Sequence, residues 1–407
     1  MLLNRSDSWK FSIILLAICF WIFWNSWATW FLWRTVAPLY NPAETSFGAY
    51  YAAGQYWLTG RNPYVGLGFV YPPASLPFFG LFGLLNFNVA APLWAVVSLS
   101  VFVLAFLAIL LTLKGRERAL FLSIGILLFL TSFPYQQELL FNQINLLVAS
   151  ISILSLVSQK IGRKFSSSLL LSAATLLKGP PILLLIYFVL FRRDLRYLAY
   201  FSISTVGMVG LSLLAVPVNL YQYYFTHIAT SLSVASTASA GTNQSVLGYM
   251  SNVGLRYLTP IVSLACVGLF AFFAFYVSSK KFPYTPDKQN IRADAMFLMN
   301  ILVMLLFVSR AWIQDYVWVI LPLALVLSSL LILDVKLAYL ALMGFETVLL
   351  NSNPLGFNGP LFVWYIYFNV SFPTILAGNL LMVLTLIFLY LCPNRVFAKN
   401  GSANSST

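Results

Sequence analysis

The residues able to do chemistry in this chain are few enough to sort one by one. It carries 10 Asp and Glu and 23 Lys and Arg. Asp7, Glu117, Asp194, Asp287, Asp294 and Asp334 sit in or beside short basic clusters and are expected to balance charge there. The other acids are Glu44, Glu138, Asp315 and Glu346, and the bases outside the clusters are Arg34, Arg61, Lys178, Arg256 and Arg310. Ionisable groups within or at the edge of an apolar bundle are costly and are functional candidates by default. An acid set beside phosphate-binding cations would equip a general-base reaction on a phosphate-bearing substrate.

Each of these has a structural reading as well. Glu44, in Asn41-Pro42-Ala43-Glu44-Thr45-Ser46, is either a helix-start acid beside a Thr45 or Ser46 cap or a general base reaching the site from a loop. Glu138 can cap or orient the helix that follows it. Asp315 follows Arg310 by five residues and can pair with it. Glu346, between apolar neighbours, pairs with an arginine or hydrogen-bonds within the bundle. Lys178, in Leu177-Lys178-Gly179-Pro180-Pro181, has no acid near it in sequence. A lysine in such a place wants an anion, and a phosphate or one of the stray carboxylates would serve. The forked donors of Arg256 and Arg310 suit a phosphate equally.

The elements that must position these groups are apolar helices. Hydrophobic residues make up 60% of the 407 positions and charged residues 8%, against roughly a quarter charged in a soluble domain. Lipid must be the solvent for much of this chain. The fold expected is an all-α polytopic membrane protein of about twelve transmembrane helices, a single domain over 1–407. The helices are placed near 11–33, 89–113, 118–134, 141–158, 166–178, 180–191, 197–216, 260–279, 294–309, 315–333, 337–351 and 371–391. The run 11–33 is too long for a signal segment and reads as an uncleaved first span. The net charge of +13 does not indicate nucleic acid. The basic residues fall in short clusters between apolar runs, around Lys114, Lys160, Arg192, Lys280 and Arg395, as cytoplasmic loops do. Both termini are therefore placed in the cytoplasm, including a tail over about 392–407, and two long loops, about 34–88 and 217–259, outside. In the first, 46–58 reads as a helix and 74–86 as a juxtamembrane helix in the interface. Cys19, Cys266 and Cys392 lie in or at the ends of apolar runs, and His227 is the only histidine, so neither a disulfide framework nor a histidine-built metal site is expected.

Four stretches carry a likeness. They are Tyr50-Tyr51-Ala52-Ala53 with Leu58-Thr59-Gly60-Arg61-Asn62-Pro63-Tyr64 and Tyr71-Pro72-Pro73; Asn142-Gln143-Ile144-Asn145; Leu177-Lys178-Gly179-Pro180-Pro181; and Asn243-Gln244-Ser245-Val246. In this order they resemble the GT-C class of membrane glycosyltransferases, and within it glycosyltransferase family 87, the polyprenol-phosphate-mannose-dependent α-mannosyltransferase type. There the second stretch tends to read Gly-Gln-x-Asn, the third Lys-x-x-Pro and the fourth Asn-Gln-Ser-Leu. Two positions depart. The family's Asp four residues before Tyr50 is Ser46 here, with Glu44 the nearest acid. The family's His after a later Trp is missing from Trp312-Ile313-Gln314-Asp315. Asn243-Gln244-Ser245 also fits a glycosylation sequon.

The resemblance implies an inverting hexosyltransferase of the cell membrane. It would move a sugar, mannose in the type resembled, from a polyprenyl-phosphate donor to a lipid or glycan acceptor hydroxyl on the outer face, with no cofactor and no obligatory metal. Glu44 or Asp315 would be the catalytic base, and Lys178, Arg256 and Arg310 would bind the donor phosphate. Tyr50, Tyr71, Gln143, Asn145, Asn243 and Gln244 would bind substrate. Two other classes share the pattern. A multi-pass transporter or lipid flippase shares the broken helices but would concentrate ionisable groups near the midplane. A catalytically inactive scaffold homologue would fit the departures at Ser46 and Gln314.

Overall fold

The structure is a computed structural model that describes residues 46–234, 243–252, 254–279, 286–308, 310–333, 335–351 and 374–397. The apolar run expected at 11–33 and the tail beyond 397 lie outside the described residues. Within them every regular element is a helix, the sole extended pairing being an isolated bridge between Val335 and Phe397.

In chain order the helices are α1 (Ser46–Leu58), α2 (Leu76–Gly83), α3 (Phe87–Thr112), α4 (Gly115–Thr131), α5 (Phe133–Phe141), α6 (Asn145–Lys160), α7 (Lys164–Leu177) and α8 (Leu195–Ser212). A 3-10 turn, Pro180–Leu184, and a π-helical turn, Ile186–Phe191, link α7 to α8. Then follow α9 (Val218–Tyr223), α10 (Ala229–Val234), α11 (Val246–Asn252), α12 (Thr259–Ser279) and α13 (Pro286–Phe307). A 3-10 segment, Ile313–Val319, leads into α14 (Ile320–Ile332), and α15 (Leu337–Asn351), α16 (Thr374–Leu391) and α17 (Pro393–Val396) complete the chain.

Four stretches are long and apolar enough to cross a membrane: α3, α12, 290–307 and 313–332. The pair α4–α5, bent by 57°, makes a fifth if it counts as one broken span. Residues 145–160, 164–177, 180–191, 337–350 and 375–391 are shorter apolar helices. The protein is thus an all-α membrane protein, while the figure of about twelve crossings rests on the apolar runs of the sequence. Two kinds of helix are evident. The windows 290–307 and 313–332 are 83% buried and form the interior, whereas α3 and α12 are 22% and 17% buried and turn apolar side chains such as Leu104, Leu264 and Phe272 outward. A helix apolar on all faces with an open flank is what lipid contact selects.

The basic clusters and the conspicuous polar residues separate along the helices. Helix α6 begins at Asn145 and ends at Lys160, and α7 begins at Lys164 and ends just before Lys178. At a rise of 1.5 Å per residue the two ends of α6 stand about 22 Å apart. At the basic end Lys160 pairs with Asp294 and Lys164 with Asp194, each at 2.5 Å, and Ser329 Oγ donates to Glu117. Asp194 and Asp294 thus balance charge as expected, while Glu117 is held by a hydroxyl. Buried hydroxyls join α6, α7 and α8 between the two ends, where Ser155, Ser167 and Tyr197 hydrogen-bond one another.

The first long loop is folded onto the bundle. Helices α1 and α2, both expected from the sequence, meet through glycines. A Cβ on Gly54 would come within 2.5 Å of the Phe79 carbonyl, and one on Gly83 within 2.9 Å of the Gln55 amide. Only glycine permits that approach. Phe47, Phe82 and Trp94 close the aromatic core beneath, with Phe47 and Trp94 centroids 5.4 Å apart. The second long loop is joined to it. Tyr64 stacks on Tyr223 at 6.0 Å and 20°, and the Trp57 indole donates to the Ala215 carbonyl.

Candidate active site

At the end of the bundle opposite the basic clusters, three chain breaks meet. The first is the end of α7. Lys178 takes an extended conformation there, and Pro180 and Pro181, which lack N–H groups, cannot continue the α-helical ladder. The second is the turn between α5 and α6, where Asn142 has φ +50° and caps α5. The family pattern has glycine at this position. Asparagine serves because it is among the few side chains that enter the left-handed region readily, and its carbonyl accepts from the Trp94 indole. The third is the 3-10 segment that carries Asp315.

These breaks bring their polar side chains into one chain of hydrogen bonds. The Lys178 ammonium donates to Asp315 Oδ1 at 2.8 Å and to Asn145 Oδ1. Asn145 Nδ2 donates to Glu138 Oε2 at 3.0 Å and to Gln143 Oε1 at 3.1 Å. Glu138 Oε1 accepts from the Leu146 amide at 2.8 Å, and Asp315 Oδ2 accepts from the Trp312 amide at 2.8 Å. Asp315 and Glu138 are 3% and 2% exposed. Lys178 is the open member, its side chain keeping 17% exposure. Of the two readings of Lys178, the stray carboxylate is therefore its partner within the chain. An ammonium has three donors, and Asp315 and Asn145 take two of them.

Above this array the first loop supplies two tyrosines. The Tyr50 and Tyr71 hydroxyls are 3.0 Å apart and their rings meet edge to face at 5.2 Å. Tyr71 lies close enough to Lys178, Asp315 and Glu138 to feel all three charges. Burial pushes both phenols above their usual range, and at Tyr71 the Lys178 charge opposes that rise. Both stay protonated at neutral pH and can donate. Tyr64 buttresses the pair by donating to the Tyr71 carbonyl.

Asn243 and Gln244 serve the site from behind. Asn243 Oδ1 accepts from the Ser245 amide, the Ser245 hydroxyl and the Ala311 amide, and the Gln244 amide donates to the Ala311 carbonyl at 2.7 Å. Tyr316, next to Asp315, donates to the Gln244 carbonyl and accepts from Asn379. Both residues are buried, and their bonds clamp the segment that presents Asp315. Gln143 is half-buried at the rim of the α5–α6 turn.

Of the residues singled out from the sequence, the structure thus gathers Lys178, Asp315, Asn145, Gln143, Tyr50 and Tyr71 at one place. Arg310 is half-buried one residue before Ala311. Arg256 opens a 3-10 turn before α12, and its side chain is outside what is described. Glu44 lies outside the described residues. Glu346 is away from this cluster, accepting from Thr385 at 2.6 Å, which matches the hydrogen-bonding alternative. The sequence offers Glu138 as a candidate that caps or orients the next helix, and gives it no place among the substrate-binding residues. It does receive the Leu146 amide at the start of α6, but it also holds Asn145. The signal was Glu138 seven residues before Asn145, with Asn142 between them to reverse the chain.

The family model described as glycosyltransferase family 87 matches residues 69–309, which include Tyr71, Glu138, Asn145, Lys178, Asn243 and Gln244. No curated protein matches the chain.

Proposed function

The chain belongs to glycosyltransferase family 87 and is a membrane glycosyltransferase, and from that premise we propose that it transfers mannose from a polyprenyl-phosphate donor to a lipid or glycan hydroxyl, with inversion, on the face opposite its basic loops. The observation that carries this reading is Lys178, half-open at a broken helix and holding two of its three N–H bonds on Asp315 and Asn145.

The charge arithmetic suits such a donor. A polyprenyl-phosphate sugar holds one negative charge as a diester and gains a second as the polyprenyl phosphate leaves. The Lys178–Asp315 pair is neutral, so it does not grip the bound donor with an uncompensated charge. The third N–H of Lys178 strengthens as the leaving oxygen becomes an anion, which is stabilisation of the transition state over the ground state. Arg310, just before the segment that carries Asp315, and Arg256 add forked donors for the phosphate in this reading. The Tyr71 hydroxyl orients the sugar or its phosphate. No metal is required by this scheme.

Glu44 is the base that takes the acceptor proton. Asp315 and Glu138 are buried, with every carboxylate oxygen already accepting a hydrogen bond. Three residues after Glu44, Phe47 packs on Trp94, whose indole holds the Asn142 carbonyl beside the polar array. A single displacement with the base on one side and the leaving phosphate on the other inverts the anomeric carbon.

The test is transfer by purified protein in lipid nanodiscs, offered polyprenyl-phosphate mannose, polyprenyl-phosphate glucose and nucleotide sugars. Turnover with a polyprenyl-phosphate sugar and loss of donor use in K178M are the expected results. Turnover with a nucleotide sugar alone, or full donor use by K178M, overturns the proposal.

A further inference from the structure

The geometry points to Glu138 as a positioning residue for the donor phosphate: acting through Asn145, it dictates the direction in which Lys178 presents its remaining N–H. This rests on the reading of Lys178 as the phosphate-binding residue.

The argument is an inventory of donors and acceptors. The Asn145 side chain, fully buried, has one oxygen and two N–H bonds. Its N–H bonds go to Glu138 and Gln143 and its oxygen to Lys178. Turned over, the amide would aim N–H at an ammonium, two donors face to face in a buried place, while its oxygen faced Glu138. Gln143 does not forbid the turned state, since its own amide can rotate to offer either atom. Asp315 lies on the far side of Lys178 and contacts no atom of the Asn145 amide among the described bonds. Glu138 does forbid it, because both of its oxygens already accept, Oε1 from the Leu146 amide and Oε2 from Asn145 Nδ2, so it has no donor to offer a turned amide oxygen. Glu138 is fixed in turn by the Leu146 amide in the first turn of α6, where the helix dipole favours a negative group. The polarity therefore runs one way. The α6 terminus orients Glu138, Glu138 orients Asn145, and Asn145 with Asp315 sets two of the Lys178 protons and so the third.

This gives Glu138 a role apart from holding α6. Glutamine at 138 keeps the shape and can still accept from Leu146, but it then presents NH2 to the NH2 of Asn145. The conflict is relieved by turning Asn145, which moves the conflict to Lys178. Changing position 145 to aspartate as well removes it. The new carboxyl accepts from the glutamine on one side and from Lys178 on the other, and the number of carboxyl groups in the array is that of the wild type.

The experiment compares wild type, E138Q, N145D, E138Q/N145D and K178M in nanodiscs, measuring kcat and KM for polyprenyl-phosphate mannose and KM for the acceptor. E138Q is expected to raise the donor KM about ten- to a hundredfold, as loss of a charge-assisted hydrogen bond does, and to leave the acceptor KM alone. E138Q/N145D should return the donor KM to within about threefold of wild type, as coupled neighbours do, whereas N145D by itself sets two carboxylates together and should not. A purely structural Glu138 would lower the melting temperature or kcat and leave the donor KM unmoved, and that outcome overturns the inference. K178M separates the two levels. A donor KM unchanged in K178M defeats the underlying reading, while one raised in K178M and unmoved in E138Q defeats only the role of Glu138. Should E138Q not fold, the double variant decides alone, with a donor KM near wild type in support and one as high as that of K178M against.

Discussion

Lys178 and Asp315, 137 residues apart in sequence, meet at 2.8 Å, and the pair joins the broken end of α7 to the segment that opens α14. A buried pair contributes little net stability over an apolar replacement, but an orphaned partner is costly. D315N should therefore destabilise the protein by about 3–5 kcal/mol, and K178M/D315L should recover most of that loss. Thermal unfolding in detergent reads both. Equal melting temperatures for D315N and wild type would mean that the pair does not form.

The proposed base is open to a direct comparison. E44Q keeps the side-chain shape and removes the proton acceptor, so kcat should fall by about two to four orders of magnitude while donor binding survives. If E44Q turns over normally and D315N is folded but inactive, the base is Asp315.

Asn142 sets the turn that delivers Asn145, and its φ of +50° discriminates among replacements. N142G loses the bond from Asn142 Nδ2 to the Ala91 carbonyl but meets no backbone penalty. N142V should be less stable than N142G by about 1–2 kcal/mol, the cost of the left-handed conformation for an ordinary side chain. Chemical denaturation of the two variants side by side measures the difference. Equal stability would show that the turn relaxes.

At the opposite end, Asp194 bonds Lys164 outside the apolar helices. Burial alone would raise its carboxyl, but hydrogen bonding and charge from Lys164, with the Tyr197 amide and Gln159, hold it below the usual carboxylate range. A depressed folded value means stability that is present above the unfolded pKa and is lost as pH falls through the folded one. The contribution should thus be intact at neutral pH and begin to disappear only below about pH 4. D194N should abolish this acid-side slope, which melting curves between pH 7 and pH 3 would register. An unchanged slope in D194N would assign it to another group.

The helices were legible in the sequence because lipid imposes a coarse rule, a long apolar run, and every such run after the first is helical where described. The first-loop helices at 46–58 and 74–86 were legible from aromatic and small residues bounded by Gly-Arg-Asn-Pro and Tyr-Pro-Pro, and they form as α1 and α2. Lys178 stood out because a cation beside Gly-Pro-Pro is costly wherever it lies. Its partner was not legible. Asp315 has Arg310 as a nearer cation in sequence, and only the packing of the Ile313–Val319 segment against α5 and α6 turns it towards Lys178. Helix α5 was missed because Pro134 looks like the end of α4, whereas it sits in the first turn of a new helix capped by Ser132. Asn243 and Gln244 were legible as a motif, but their clamping of Ala311 is a contact between distant segments that no local pattern encodes.

The stacking of Tyr64 on Tyr223 and the bond from Trp57 to Ala215 have an evolutionary corollary. Loops on a rigid scaffold ordinarily diverge one at a time, and new specificities arise by exchanging one as a cassette. Here the two loops share a seam, so a change in ring size at Tyr64 demands an answer at Tyr223. Grafting residues 46–85 from another member of the family would import half of that seam. New acceptor preferences on this scaffold are expected to arise by paired drift of both loops, and chimaeras should function only when the two are moved together.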